Sequence, residues 1–150
     1  MTQRNGNTFI STRHIAATPE EVFAAIHSPE RLARWWGPAG FTNTVQRCDM
    51  RPGGHWVFDM HSPDGKTYPN ENVFDTIDPP QDGQPGLFVL RHVAQPLFRL
   101  TLRVQADGAG TKVDFVQVFD SADMAQQLAH IAEPANEQNL DRLTAEVLGL

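Results

Sequence analysis

The chain has 150 residues, 40% of them hydrophobic, and a formal net charge of -6 at pH 7. This size and apolar content favour one domain, residues 1–150, with a single sizeable core, and the acidic balance argues against nucleic acid as a partner. No stretch approaches the roughly 20 apolar residues of a membrane-spanning helix, so no membrane insertion is expected. Cys48 is the only cysteine, which excludes an intrachain disulfide and suits the reducing cytoplasm, where we expect the protein to be located.

The first part of the chain predicts a strand followed by two short helices. Residues 9–15 can run as a strand. Thr18-Pro19-Glu20-Glu21 then offers an N-cap, a proline in the first helical turn and a capping-box glutamate. Ser28-Pro29 repeats this start signal, and the second helix is expected to end near Gly37. The two helices would form a helical hairpin.

Beyond residue 40, turn signals separate short runs in which apolar and polar residues alternate, as in an antiparallel meander. The turns are expected at residues 51–54, 62–65, 78–80, 82–83 and 107–110. Alternation puts three sets of residues on one face of the sheet: Trp56, Phe58 and Met60; Phe98, Leu100, Leu102 and Val104; and, in a last strand over residues 111–119, Val113, Phe115, Gln117 and Phe119.

The pattern becomes helical again from Ser121. Asn136, Leu140, Leu143 and Val147 share one side of this helix, and Pro134 should either kink it or begin its main segment. A sheet with one apolar face must cover that face, and only this helix is long enough to do so. We therefore predict an α+β helix-grip fold, in which a curved antiparallel β-sheet wraps around a long C-terminal α-helix. A short helical pair follows the first strand, and a cleft remains between helix and sheet.

Several motifs occur in the order and at the spacing of a known family. They are Trp35-Trp36-Gly37-Pro38, Arg51-Pro52-Gly53-Gly54, Pro63-Asp64-Gly65, Tyr68-Pro69-Asn70-Glu71, Gly110-Thr111-Lys112 and Leu140-Asp141-Arg142-Leu143. Over roughly residues 8–148 the chain resembles the branch of the START-like (SRPBCC) superfamily that is named after the activator of the heat-shock-protein-ninety ATPase. The resemblance implies a helix-grip fold and, as in many superfamily members, a cavity for lipids, polyketides or other small hydrophobic molecules. It does not imply one shared reaction.

The chain departs from this family pattern on the last helix. Many members of the branch carry a Gly-Trp pair where this chain has Ala135-Asn136. An amide in place of an indole would leave the pocket roomier and more polar at that point. The departure argues against carrying over any known ligand of the family.

The first functional hypothesis is that the protein binds a small hydrophobic or amphipathic molecule, lipid-like, polyketide-like or aromatic, between sheet and helix. The residues expected to line the site are Trp35, Trp36, Phe41, Trp56, Phe58, Met60, Tyr68, His92, Leu100, Phe115, Gln117, Asn136, Asn139, Leu140 and Leu143. For the apolar members, plain core packing is the alternative to pocket wall. Asn136 and Asn139 need hydrogen-bond partners, which are either Gln117, Tyr68, backbone or buried water, or a ligand oxygen.

The other hypotheses give the same cavity a different role. An enzyme of the cyclase, dehydratase or hydrolase type would use Tyr68, Glu71 and His92 as acid and base, but the sequence contains no nucleophile motif. The spacing of the six histidines argues against a zinc site, and we expect neither metal nor cofactor. A chaperone ATPase cofactor, as the family name suggests, is disfavoured because the chain offers one domain only. A homodimer is left open. The sequence thus favours binding over catalysis.

Overall fold

The computed structural model describes residues 2–150 and has the helix-grip fold that the sequence predicts. In chain order the elements are β1 (Gln3–Asn5), β2 (Thr8–Ile15), α1 (Pro19–His27), α2 (Pro29–Trp35), β3 (Thr42–Cys48), β4 (His55–His61), β5 (Thr67–Asp78), β6 (Gly86–His92), β7 (Phe98–Asp107), β8 (Gly110–Phe119) and α3 (Ala122–Leu148). The strands form one antiparallel sheet in the order β1-β2-β8-β7-β6-β5-β4-β3. β1 pairs with β2 at the sheet edge. The sequence patterns predicted neither β1 nor the turn that separates β6 from β7.

The two short helices begin where the capping signals predict. The Thr18 hydroxyl accepts a hydrogen bond from the backbone N–H of Glu21, and the Glu21 carboxylate accepts one from the backbone N–H of Thr18. Ser28 caps α2 by accepting from the N–H of Arg31. These side chains satisfy helix-terminal donors that would otherwise lack partners. The local sequence therefore sets the start of both helices.

The long helix α3 begins at Ala122, with Ser121 as its N-cap, and continues through Pro134. Pro134 thus lies inside the helix instead of beginning a main segment. A proline has no N–H to donate to the preceding turn, so the helix loses one bond there. α3 ends at Gly149, which adopts a left-handed conformation with φ of 72°, a geometry that favours glycine.

The main core lies between the concave face of the sheet and α3. Leu140 and Leu143 are fully buried, whereas Val147 is half-buried at the rim of the core. α3 packs mainly against β2 and β8, while α1 and α2 pack against its C-terminal half. The strands β4, β5 and β6 therefore face space that large side chains fill, including Trp56, Phe58 and Phe74.

Candidate functional site

Two neighbouring rows of side chains cross the concave face of the sheet. In antiparallel pairing, directly opposed residues point to the same face. The first row, in strand order from β4 to β8, consists of Trp56, Asn72, His92, Phe98 and Phe119. The second row, from β5 across to β2, consists of Phe74, Leu90, Leu100, Gln117 and Phe9. Both rows start and end with aromatic residues. Between these ends the first row contains the polar residues Asn72 and His92, and the second contains Gln117.

These polar residues separate two apolar clusters. One cluster contains Trp56 and Leu100, and the other contains Phe9 and Phe119. The four polar side chains between them, which we call the polar seam, are Asn72, His92, Gln117 and Asn136, the last of which faces the sheet from α3. The interior between helix and sheet is therefore not uniformly apolar.

His92, Gln117 and Asn136 of the seam contact other protein atoms through polar groups. Asn136 donates from Nδ2 to Oε1 of Gln117 over 3.0 Å. The Nδ1 atom of His92 lies 2.7 Å from the carbonyl oxygen of Pro96, and its Nε2 lies 3.0 Å from Oδ1 of Asn70. The ring of His92 also stacks on Phe98, with centroids 4.7 Å apart. The His92 ring is thus held on three sides.

Asn72 is the exception in the seam. Its side chain is 1% exposed, and neither Nδ2 nor Oδ1 has a hydrogen-bond partner among residues 2–150. A buried amide left unpaired costs about 1 to 3 kcal/mol. Its neighbours in the row are Trp56, which faces it from β4, and His92, whose two ring nitrogens are already occupied. The protein atoms around Asn72 therefore leave both a donor and an acceptor available.

A groove of about 500 Å³ lies at the end of the sheet where the first row is located. Its lining includes His92, Phe98 and Phe119 from that row, together with Arg91 and Arg99. We call it the end groove. Because His92 lies opposite Asn72 in the ladder, the end groove reaches the residue next to the unpaired amide.

The predicted aromatic residues Trp35, Trp36 and Phe41 lie in or just after α2, away from the end groove. Trp35 and Trp36 are 1% and 7% exposed, and the ring of Trp36 lies edge-on to that of Trp56 with centroids 5.0 Å apart. Both indoles fit inside because α2 ends at Trp35, so Trp36 has an extended backbone and turns back toward the core. Phe41 and Met60 are half-buried beside this segment.

Side chains from α3 hold the end of α2 in place. Asn139 donates from Nδ2 to the carbonyl oxygen of Trp35 over 2.9 Å. Arg142 donates from Nη1 to the carbonyl oxygens of Trp36, Gly37 and Pro38, at 2.9 to 3.1 Å. Gly37 has φ of 103°, and an added Cβ would lie 3.2 Å from the Cε of Met60, so a side chain fits poorly there. The Trp-Trp-Gly-Pro motif is therefore held by hydrogen bonds from α3 to its backbone carbonyl oxygens.

The groups proposed for acid and base catalysis do not meet. Glu71 lies one residue from Asn72 on β5, so it points to the convex face, where its carboxylate contacts Nδ1 of His55 at 3.1 Å. Tyr68 is 46% exposed, whereas His92 lies on the concave face. In this conformation the three side chains form no common site.

The remaining predicted residues lie in the core. Phe58, Leu140 and Leu143 are fully buried, while Leu100 and Phe115 are 1% and 3% exposed. No group of three or more histidine, cysteine or carboxylate side chains within residues 2–150 could hold a metal ion. No helix in that same range is long and apolar enough to cross a membrane.

Asn72 was not among the predicted site residues, although its position in the alternation of β5 indicates that it faces inward. Along β5 the inward positions alternate, so Asn70 and Asn72 share a face with Phe74. A polar residue at an inward position of a strand is worth explaining.

Comparison with known proteins supports the family and the fold. The model of the family described as activator of Hsp90 ATPase homolog 1-like protein matches residues 16–147. No curated protein matches the chain significantly. The family match covers both helices of the hairpin, strands β3 to β8 and nearly all of α3.

Solved structures with the same fold come from several bacteria. A protein from Arthrobacter aurescens has a TM-score of 0.84 at 18% identity, covering 100% of this chain and 92% of that one. A protein from Nitrosomonas europaea has a TM-score of 0.81 at 17% identity, covering 98% and 97%. An AHSA1 protein from Silicibacter pomeroyi has a TM-score of 0.71 at 20% identity, covering 94% and 97%. At these identities the similarity shows the fold alone.

Proposed function

The chain belongs to the activator of Hsp90 ATPase homolog 1-like family, and from this premise we propose that it binds one small, mostly apolar molecule between the sheet and α3. The ligand is a lipid-like, polyketide-like or aromatic molecule that carries at least one polar group. The proposal concerns binding, because Glu71 points to the opposite face of the sheet from His92, and Tyr68 is exposed.

The single observation that carries the proposal is the unpaired amide of Asn72. It is buried at 1% exposure among aromatic side chains, without a partner in the part of the chain that the structure describes. Buried polar groups in folded proteins nearly always have partners, so each exception requires an explanation. A ligand that brings its own polar atom into the seam explains the amide and also uses the aromatic wall around it.

The wall of the proposed site comes from the larger apolar cluster. Trp56 lies beside Asn72 in the first row, with Phe58 and Phe74 packed against its ring at centroid distances of 4.3 and 6.0 Å. Gln117 and Asn136 offer polar contacts on the opposite side of the seam. A site with apolar walls and few polar groups fits an amphipathic molecule better than a strongly charged one.

Binding requires the interior to open, because the wall residues are almost fully buried in this conformation. The half-buried side chains of Met60 and Gln117 lie at its edges. Methionine is flexible and adapts to irregular volumes. We propose that rotamer changes at such edges, together with the end groove beside His92, admit the ligand.

Native mass spectrometry of freshly purified protein tests the proposal directly. We expect a co-purifying small molecule at one copy per chain, or, after its removal, saturable one-to-one binding of the fluorescent probe 1-anilinonaphthalene-8-sulfonate. Ile131→Trp is the control for non-specific binding of the dye to exposed aromatic surface, because Ile131 is 56% exposed on α3. This variant should bind the dye as the wild type does. If the native protein carries no molecule and shows no saturable binding, the proposal is wrong.

A further inference from the structure

From the geometry around Asn72 we infer that the ligand presents a neutral amide edge, with an N–H and a C=O side by side, to the carboxamide of Asn72. This inference rests on the proposed binding function and specifies which chemistry the site recognises. The class includes lactams, primary amides and other molecules whose N–H and C=O point the same way.

The Asn72 side chain offers a hydrogen-bond donor and an acceptor. A carboxamide presents an N–H donor and a C=O acceptor along one edge. Both Nδ2 and Oδ1 of Asn72 are buried without partners among the described residues. The complementary group must accept one hydrogen bond and donate another in the same plane. A lone ketone or ether can only accept, so it leaves Oδ1 of Asn72 unpaired.

The side chains next to Asn72 do not supply the acceptor and the donor that it needs. His92 already places Nδ1 on the carbonyl of Pro96 and Nε2 on Asn70. Asn70 itself donates from Nδ2 to the carbonyl oxygen of Tyr68 over 3.0 Å. Rotating either side chain toward Asn72 removes it from these present contacts. The partners of Asn72 therefore come from outside the chain.

Burial at Asn72 favours a ligand group without charge. A buried ion is costly unless a charged partner and hydrogen bonds compensate it. A carboxylate presents only acceptors, so it leaves Oδ1 of Asn72 facing another oxygen. Trp56, the other neighbour in the row, has an indole ring beside the amide. A neutral amide satisfies Asn72 without burying charge, and its apolar remainder packs on the aromatic wall.

A pair of matched probes tests the inference. 2-Quinolinone is a lactam with adjacent N–H and C=O groups on an aromatic frame, and 1-methyl-2-quinolinone lacks the donor at nearly the same shape. We expect the wild-type protein to bind the lactam about 10-fold more tightly, equivalent to about 1.4 kcal/mol. In Asn72→Leu this preference should disappear. In nuclear magnetic resonance spectra, the side-chain carbonyl carbon of Asn72, whose oxygen accepts the lactam N–H, should shift with the lactam and not with the N-methyl analogue.

Asn136→Leu provides the matched control variant. It removes another buried amide of the polar seam, but one that is paired with Gln117. We expect this variant to change the affinities for both probes by the same factor and to retain the lactam preference. Loss of the preference in Asn136→Leu, with the preference retained in Asn72→Leu, would assign recognition to the wrong residue and overturn the inference.

The outcomes separate the inference from the binding function beneath it. If both probes bind the wild type equally, the amide edge is not recognised and the inference is wrong, while the binding function stands. If neither probe binds and the native protein carries no molecule, both are wrong. If Asn72→Leu lowers the free energy of unfolding and the wild type shows no preference, Asn72 holds a structural water and the inference fails.

Discussion

Asn136 on α3 and Gln117 on β8 form a hydrogen bond across the helix–sheet interface, from Nδ2 to Oε1 over 3.0 Å. Asn136 is 6% exposed, and Gln117 is half-buried. A neutral bond of this kind contributes about 0.5 to 1.5 kcal/mol, but losing one partner leaves the other buried and unpaired. The pair therefore fixes the spacing between α3 and the sheet at the polar seam.

The first prediction concerns Asn136→Trp. The indole adds volume to the interface and removes the amide that bonds Gln117. We expect the fold to persist and the uptake of 1-anilinonaphthalene-8-sulfonate to weaken about 10-fold, because the ring occupies probe volume. Fluorescence titration measures the affinity, and circular dichroism checks the fold.

Ile131→Trp is the matched control for this substitution. It adds the same ring to the same helix at an exposed position and should leave the affinity unchanged. Equal probe affinities in wild type and Asn136→Trp, with both proteins folded, would show that Asn136 is not at the binding site.

The second prediction concerns the helix–sheet core. Leu143 is fully buried on α3 and belongs to the main apolar cluster. We expect Leu143→Ala to lower the free energy of unfolding by about 2 to 5 kcal/mol, the usual range for a buried leucine. Leu148→Ala, at a position 40% exposed, should change it by less than about 0.5 kcal/mol. Urea denaturation measures both, and a loss below about 1 kcal/mol for Leu143→Ala would argue against tight packing there.

The third prediction concerns the thiol of Cys48. Burial raises its pKa to about 11, and the negative charges of Asp49 and Glu30 add to this effect. Only the thiolate reacts, and an ordinary cysteine has a pKa of about 8.5. At pH 8 we expect iodoacetamide to alkylate Cys48 at least about 10-fold more slowly than N-acetylcysteine. Mass spectrometry follows the reaction.

Unfolding the protein in urea provides the control for Cys48. It removes the burial, so the rate of alkylation should rise to that of N-acetylcysteine. Rapid alkylation of the folded protein at pH 8 would mean that the thiolate is far more accessible than the structure indicates.

The fold could be predicted because its signals are local. Thr18 and Ser28 fix two helix starts through their own hydroxyls, and each acts on a backbone N–H three residues later. The alternation of Trp56 and Phe58 with His55, Val57 and Asp59 indicates which face of β4 is buried. Strand β1 escaped prediction because its three side chains are exposed, so it has no alternation of buried and exposed residues.

The site was harder to predict because it depends on which strands are neighbours. The sequence indicated that Asn136 and Asn139 need partners and named Gln117 and backbone groups as candidates. The structure pairs Asn136 with Gln117, and Asn139 with the carbonyl of Trp35. That Asn72 lies between Trp56 and His92 follows from strand register, which no local pattern in the sequence specifies.

The last prediction concerns the ion pairs between α2 and the end of α3. The Glu146 carboxylate accepts hydrogen bonds from Arg34 at 2.9 and 3.0 Å and from Arg31 at 2.9 Å. The bonds from Arg34, and then those from Arg31, hold the pKa of Glu146 below its usual range, although burial opposes this. A lowered folded-state pKa stabilises the protein at pH values above the unfolded-state pKa, about 4.3.

This stabilisation is lost as the pH falls through the folded-state pKa of Glu146. We therefore expect Glu146→Gln to lower the free energy of unfolding at pH 7 by less than about 1 kcal/mol, since the pair is partly exposed. The difference from wild type should shrink as the pH falls below about 4. Urea denaturation at pH 7, 5 and 3 measures it, with Glu133→Gln on the same helix as the control. A difference that grows toward acid pH would contradict the prediction, because it requires a raised pKa for Glu146 in the folded protein.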